Sequence, residues 1–159
     1  MNLNDIEWVE EGCLVHLRRS KTDQERVGRI VAIPKLRGSL CPVKALENWP
    51  TAASITHGPI FRRLSRTGAA TKHRLDAGYV SILLKAHLDR TGIDSAEYSA
   101  HSLRAGLVTA AATAGVPSWK IRQQTGHKTD VMVARYIRDA DMWNGNAASA
   151  AGKPTRKIS

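Results

Sequence analysis

Residues 99–137 decide the fold of this chain, because they form a run of short segments with clear helix starts and stops. The run opens with Ser99-Ala-His-Ser-Leu-Arg-Ala-Gly-Leu107. Serine is a favourable helix N-cap, and a glycine that follows a helical pattern is a favourable stop. The pattern predicts one helix from after Ser99 to Gly115, a second from Pro117 or Ser118 to Gly126, and a third that opens after Thr129.

Upstream of these helices, short apolar runs predict a small antiparallel sheet. Residues 13–18 and 28–33 are β-branched or alternating runs, and the polar stretch 19–25 between them predicts a hairpin with a charged tip. Residues 5–8 are a candidate for a preceding strand of the same sheet.

The remaining segments give one more strand and three more helices. Residues 42–49 predict a short helix that begins with Pro42 and ends at Trp49-Pro50, and the basic loop 50–73 holds a brief strand at 60–61. A helix over 76–91 ends at Gly92, and Asp141 caps a helix from 142 to about 150. The sequence therefore predicts an α+β fold, with a small N-terminal sheet and a mainly helical C-terminal part, in one domain over 1–151 with a flexible tail at 152–159.

The charge of the chain indicates a polyanionic partner. Its 159 residues include 24 Lys and Arg against 14 Asp and Glu, a formal net charge of +10. Nucleic acid is the first candidate and an anionic membrane surface the second. Aromatic residues make up 5% of the chain, too few for a surface that stacks on single-stranded bases.

Other classes of protein fit the composition poorly. No run of about 18 apolar residues is present, and residues 1–15 do not resemble a signal peptide, so a cytoplasmic protein is expected. Cys13 and Cys41 form no CxxC pair, which argues against a disulfide scaffold, a zinc finger or an iron–sulfur site.

Residues 98–129 contain no Asp or Glu, yet they contain several basic side chains. Such a segment suits a phosphate, which guanidinium and imidazole donors bind, and does not suit Mg²⁺. His101 and Arg104 share one helix face near its N-terminus, where the dipole favours an anion. His127 follows the Gly126 stop and Tyr136 lies on the next helix, so a tight turn allows all four side chains to converge.

These motifs resemble the tyrosine recombinase (phage integrase) family, C-terminal catalytic domain. The resemblance rests on residues 99–107, Ala-Gly-Val-Pro at 114–117, Thr-Gly-His at 125–127 and Ala-Arg-Tyr at 134–136. It covers about 40 residues in detail, and the order of elements agrees from the first strand onward.

The resemblance implies a role for each matching residue. Tyr136 is the nucleophile that forms a 3′-phosphotyrosyl link and frees a 5′-hydroxyl. Arg104 holds the non-bridging oxygens, His101 assists proton transfer or phosphate binding, and His127 donates a hydrogen bond to the phosphate. Lys21, in the hairpin loop, is the general acid for the leaving 5′-oxygen.

The resemblance also implies the partners. The partner is double-stranded DNA, bound by a homo-oligomer, a tetramer, in the full-length protein; no membrane is involved. No cofactor is needed, because the phosphotyrosyl bond conserves the energy of the broken phosphodiester. In this family a C-terminal helix often docks onto a neighbouring protomer. The helix predicted from residue 142 is the candidate for that contact, with packing on its own domain as the equal alternative.

Further basic side chains are candidates for contacts with DNA phosphates, with an ordinary solvated surface as the alternative. These candidates are Arg62, Arg63, Arg66, Lys72, Arg74, Lys120, Arg122 and Lys128.

The sequence departs from the family in one respect. The family has a further catalytic arginine on a helix before the sheet, and this chain opens at the first strand, where Arg18 and Arg19 do not match it. We therefore expect a truncated catalytic domain with weak or no activity. A non-catalytic DNA-binding fragment and a type IB topoisomerase remain alternatives. A metalloenzyme using His101 and His127 is disfavoured, because no carboxylate or cysteine lies near them in sequence.

Overall fold

The computed structural model describes residues 1–18 and 28–137, except the side chains of residues 135 and 137. The chain divides into two compact units, Met1–Tyr79 and Val80–Ser159. Strands lie in the first unit, and the second consists of helices within its described part. The prediction of an α+β fold is confirmed.

The first unit is built on a three-stranded antiparallel sheet in the order β1-β2-β3. Its strands are β1 (Ile6–Val9), β2 (Gly12–Leu17) and β3 (Arg29–Pro34). The predicted hairpin strands are confirmed within one residue, and its polar tip lies outside the described residues. The strand expected at residues 5–8 begins one residue later, because Leu3–Asp5 form a 3-10 turn in which the Asn2 N–H donates to Asp5 Oδ2 at 2.7 Å.

The core of this unit follows from the alternation of side chains along a strand. Cys13 and Val15 of β2 are buried with Ile6 and Ile60. Ile33 on β3, the register partner of Cys13, packs against this core from a partly buried position.

Helix α1 (Pro42–Ala52) packs beside the sheet, and its end was predicted wrongly. The helix continues three residues past Trp49, with Pro50 inside its last turn. Proline removes only its own N–H, while its carbonyl and that of Trp49 still accept hydrogen bonds from Ile55 N at 2.8 Å and Ala53 N at 2.9 Å.

A two-stranded ribbon, β4 (Arg62–Leu64) and β5 (Ala70–Arg74), completes the unit. The strand predicted at residues 60–61 is displaced to β4, because Ile60 is fully buried and its carbonyl accepts a 2.7 Å hydrogen bond from Trp49 Nε1. β5 was not predicted, since its polar sequence Ala-Thr-Lys-His-Arg lacks an apolar alternation.

The second unit contains four described helices: α2 (Tyr79–Arg90), α3 (Ala100–Thr113), α4 (Ser118–Thr125) and α5 (Asp130–Ile137). The predicted caps are confirmed: Ser99 Oγ accepts a hydrogen bond from His101 N at 3.2 Å, and Gly126 has the left-handed φ of 77°. Helix α2 begins later than predicted, because Asp76 Oδ1 accepts from Gly78 N in a preceding turn. The helix predicted from 142 and the tail at 152–159 lie outside the described residues.

Helices α3, α4 and α5 pack on one another around a small apolar core. Val108 and Ala112 of α3, Ile121 of α4 and Val133 of α5 are buried there, and Tyr136 packs against them. This packing brings the C-terminal end of α4 and helix α5 close to α3. It thereby positions the polar side chains of the candidate site. Across the described ranges, no helix is long and apolar enough to cross a membrane.

Candidate active site

The first turn of α3 and the C-terminal half of α5 bring His101 and Tyr136 together. His101 Nε2 lies 2.9 Å from the phenolic oxygen of Tyr136, and the ring centroids are 6.4 Å apart. His101 is exposed, whereas Tyr136 is half-buried against the helical core. The imidazole and the phenol are thus within hydrogen-bond distance of each other.

A second imidazole lies beside the same tyrosine. The His127 ring is 6.1 Å from the Tyr136 ring, centroid to centroid, with an angle of 47° between the planes. His127 is buried, with 9% of its surface exposed, just after the Gly126 stop of α4. His101 and His127, two of the predicted site residues, therefore both lie beside Tyr136, the third.

Arg104 links the start of α3 to the end of α4. Its Nη1 donates a 2.6 Å hydrogen bond to the carbonyl oxygen of Thr125, and the residue is exposed. A guanidinium has five N–H donors, so this bond orients Arg104 while other donors remain for an anion.

Thr125 is a functional candidate that sequence reasoning did not assign. It is buried, and its hydroxyl lies 2.7 Å from the Ile121 carbonyl oxygen and 2.6 Å from His127 Nδ1. Thr125 therefore contacts both Arg104 and His127. Its position directly before Gly126 at a helix end was the available sequence clue, because a hydroxyl there can bond back to the helix.

Arg122 holds the loop that carries His127. Its Nη1 pairs with Asp130 Oδ2 at 2.9 Å, and its Nη2 donates to the Lys128 carbonyl oxygen at 2.8 Å. This guanidinium, predicted to contact DNA, is thus bonded within the protein across the α4–α5 turn.

The other basic candidates divide into two groups. Arg62 donates to the carbonyl oxygens of Pro59 and His57, and Arg74 donates to Met1 O at 2.8 Å and Asn2 Oδ1 at 2.6 Å. The second group is exposed and makes no ion pair within residues 1–18 and 28–137. It comprises Arg63, Arg66, Lys72, Lys120 and Lys128.

Lys21 lies outside the described residues, but the start of its hairpin is described. Arg18 follows β2, and its Nε lies 2.7 Å from Asp5 Oδ1 as an ion pair without full hydrogen-bond geometry. The hydrogen bond from Asn2 N–H is the main cause that lowers the pKa of Asp5 below its ordinary value; burial opposes it, and the Arg18 charge adds to it. Asp5 therefore anchors the end of β2 from which the hairpin loop departs.

Known proteins resemble this chain over most of its length. Residues 1–142 match the phage integrase family. The chain belongs to this family, the tyrosine recombinases. It is similar to a protein of Selenomonas ruminantium named "Integrase/recombinase xerD homolog", with 33% identity over 144 residues. That alignment covers 90% of this chain and 42% of the relative.

Proposed function

We propose that this chain is the catalytic domain of a site-specific DNA recombinase that cleaves and rejoins DNA through a 3′-phosphotyrosyl intermediate. The observation that carries the proposal is the 2.9 Å contact between His101 Nε2 and the Tyr136 hydroxyl. The Tyr136 hydroxyl contacts one imidazole and its ring lies beside a second, while the Arg104 guanidinium is bonded to the helix end that precedes His127. These are the groups that phosphoryl transfer to a phenol requires.

In the cleavage step Tyr136 Oη attacks the phosphorus of the scissile phosphodiester. Neutral His101 accepts the phenolic proton at Nε2 as the Oη–P bond forms. The bond from phosphorus to the 5′-oxygen breaks, and that oxygen takes a proton from Lys21, the general acid that the family resemblance assigns. Rejoining is the reverse: a 5′-hydroxyl attacks the phosphotyrosine and Tyr136 leaves with its proton restored.

Arg104 and His127 stabilise the charge that grows on the non-bridging oxygens. The support is their placement: Arg104 is oriented by the Thr125 carbonyl, and the His127 ring is held 6.1 Å from the Tyr136 ring. Donors oriented before the reaction need no rearrangement in the transition state, which is why they lower the barrier.

The partner in this proposal is double-stranded DNA, bound by a homo-oligomer in the cytoplasm. The exposed cations Arg63, Arg66, Lys72, Lys120 and Lys128 are the phosphate contacts. Arg62, Arg74 and Arg122, which are bonded to the protein's own oxygens, instead hold loops and strand ends that present those contacts.

A second candidate function is DNA binding without cleavage by the 159 residues alone. It is favoured by one observation: no arginine here matches the family's additional catalytic arginine before the sheet. Because the chain spans 42% of the relative's length, the activity of a longer protein is a separate proposal.

The decisive experiment is covalent capture on a nicked suicide substrate, with the chain extended upstream by a helix that carries an arginine. Peptide mass spectrometry should find the DNA 3′-phosphate on Tyr136. Capture through Tyr98, an exposed tyrosine in the same unit, or no capture at all, would contradict the proposal.

A further inference from the structure

The Thr125 hydroxyl has a single proton to donate, and the Ile121 carbonyl oxygen and His127 Nδ1 both lie within hydrogen-bond distance of it. One of these groups is the carbonyl oxygen of Ile121, at 2.7 Å, which can only accept a hydrogen bond. The Thr125 proton is therefore committed to Ile121. Towards the other group, His127 Nδ1 at 2.6 Å, the hydroxyl oxygen must act as the acceptor.

This arrangement favours a proton on Nδ1 of His127. In a neutral histidine one ring nitrogen is a donor and the other an acceptor, and the hydrogen bond of one nitrogen determines the state of the other. Thr125 and His127 are both buried, so the contact is shielded from competing water. A hydrogen bond in such surroundings is costly to leave unmade.

We propose that Thr125 is a positioning residue for His127: its hydroxyl fixes the imidazole as the Nδ1–H tautomer and orients Nε2 as the ring nitrogen that meets the phosphate. The inference deepens the proposed function, because the phosphate contact of His127 belongs to that function. The Thr125 carbonyl also orients Arg104, at 2.6 Å, so one residue at the end of α4 aligns both phosphate-binding side chains.

The two tasks of Thr125 can be separated by substitution. Thr125→Val has the same shape without the hydroxyl, and it retains the backbone carbonyl that Arg104 uses. Thr125→Ser retains the hydroxyl. Thr113→Val is the matched control, because Thr113 Oγ1 donates to the Thr109 carbonyl at 3.0 Å through the same i−4 geometry in α3, outside the site.

The test is the tautomer of His127 in the ¹⁵N-histidine-labelled chain, read from long-range ¹H–¹⁵N correlations at a pH where the imidazoles are neutral. The signal is assigned by its loss in His127→Gln. We expect Nδ1–H in the wild type, in Thr125→Ser and in Thr113→Val, and a shift towards Nε2–H in Thr125→Val. An Nε2–H signal in the wild type, or an unchanged Nδ1–H signal in Thr125→Val, would overturn the proposal.

A second readout concerns the reaction itself. In the extended chain, Thr125→Val should slow covalent capture by about two- to tenfold, the value of one hydrogen bond, with duplex affinity unchanged, while Thr125→Ser restores the rate. The two proposals fail separately: absent capture at Tyr136 contradicts the recombinase function, whereas the tautomer is measured without any DNA.

Discussion

His101 and Tyr136, 35 positions apart in the chain, meet through a 2.9 Å contact between Nε2 and the phenolic oxygen. The contact depends on the packing of α5 against α3, because Val133 of α5 is fully buried with Val108 of α3 while Tyr136 is half-buried one turn further along. The apolar core of the second unit thus supports the polar pair directly.

We expect Tyr136→Phe to abolish covalent capture on a suicide substrate while leaving duplex binding nearly unchanged. The substitution removes one oxygen atom, the nucleophile, and keeps the ring that packs on the core. Capture is measured on a denaturing gel in the upstream-extended chain. Tyr98→Phe is the matched control and should capture normally; a covalent complex formed by the Tyr136→Phe variant would refute the assignment.

The 159 residues alone should bind duplex DNA weakly and without sequence preference, and cleave it barely or not at all. Loss of one donor that clamps the reacting phosphate costs on the order of 10²–10³ in rate. The comparison is a cleavage time course against the upstream-extended chain. Equal rates for the two would mean that the 159 residues do not need the arginine of the extension.

Two adjacent arginines should behave differently in salt titrations of DNA binding. Arg63→Gln should reduce the slope of log K against log salt by about 1, because an exposed cation that neutralises a phosphate releases a counterion. Arg62→Gln should leave that slope unchanged, because Arg62 donates to the Pro59 and His57 carbonyls, and should lower the free energy of unfolding by on the order of 1–3 kcal/mol.

Fluorescence anisotropy gives the slopes and urea denaturation the stabilities. Identical slope changes in Arg62→Gln and Arg63→Gln would contradict the prediction that its hydrogen bonds within the protein keep Arg62 from contacting a DNA phosphate.

Acid should remove a stabilising contribution of Asp5. The pKa of Asp5 is lowered in the folded state, so its stabilisation is present above the unfolded value and is lost as the pH falls through the folded value. We expect Asp5→Asn to lower the free energy of unfolding by on the order of 1–3 kcal/mol at pH 7. The difference from wild type in urea denaturation should shrink below a pH of about 4. A difference that stays constant from about pH 7 to about pH 3 would contradict this.

Deleting residues 141–159 should preserve the fold and reduce self-association on DNA, if the predicted C-terminal helix docks onto a neighbouring protomer. A short helix gains most of its stability from packing, so Trp143 needs a groove in its own chain or in another. Analytical ultracentrifugation with target DNA compares the deleted and intact chains, with circular dichroism as the control for folding. Unchanged assembly would exclude docking of this helix onto a neighbouring protomer.

The sequence by itself determined the caps of the C-terminal helices and predicted the four central residues of the candidate site. Helix starts and stops such as Ser99 and Gly126 are short-range features, since a cap depends on neighbours within one turn. The spacing of His101, Arg104, His127 and Tyr136 likewise carried the resemblance before any packing was known.

Only the tertiary structure decided what similar side chains do. Arg62 and Arg63 are alike in sequence, but one guanidinium is bonded to backbone carbonyls while the other is exposed. Thr125 is an ordinary helix-end threonine in sequence, yet packing of α3 against α4 places Arg104, 21 positions away, against its carbonyl. The physical reason is range: a cap is set by residues within one turn, whereas the Arg104–Thr125 and His101–Tyr136 contacts need segments 21 and 35 positions apart to pack together.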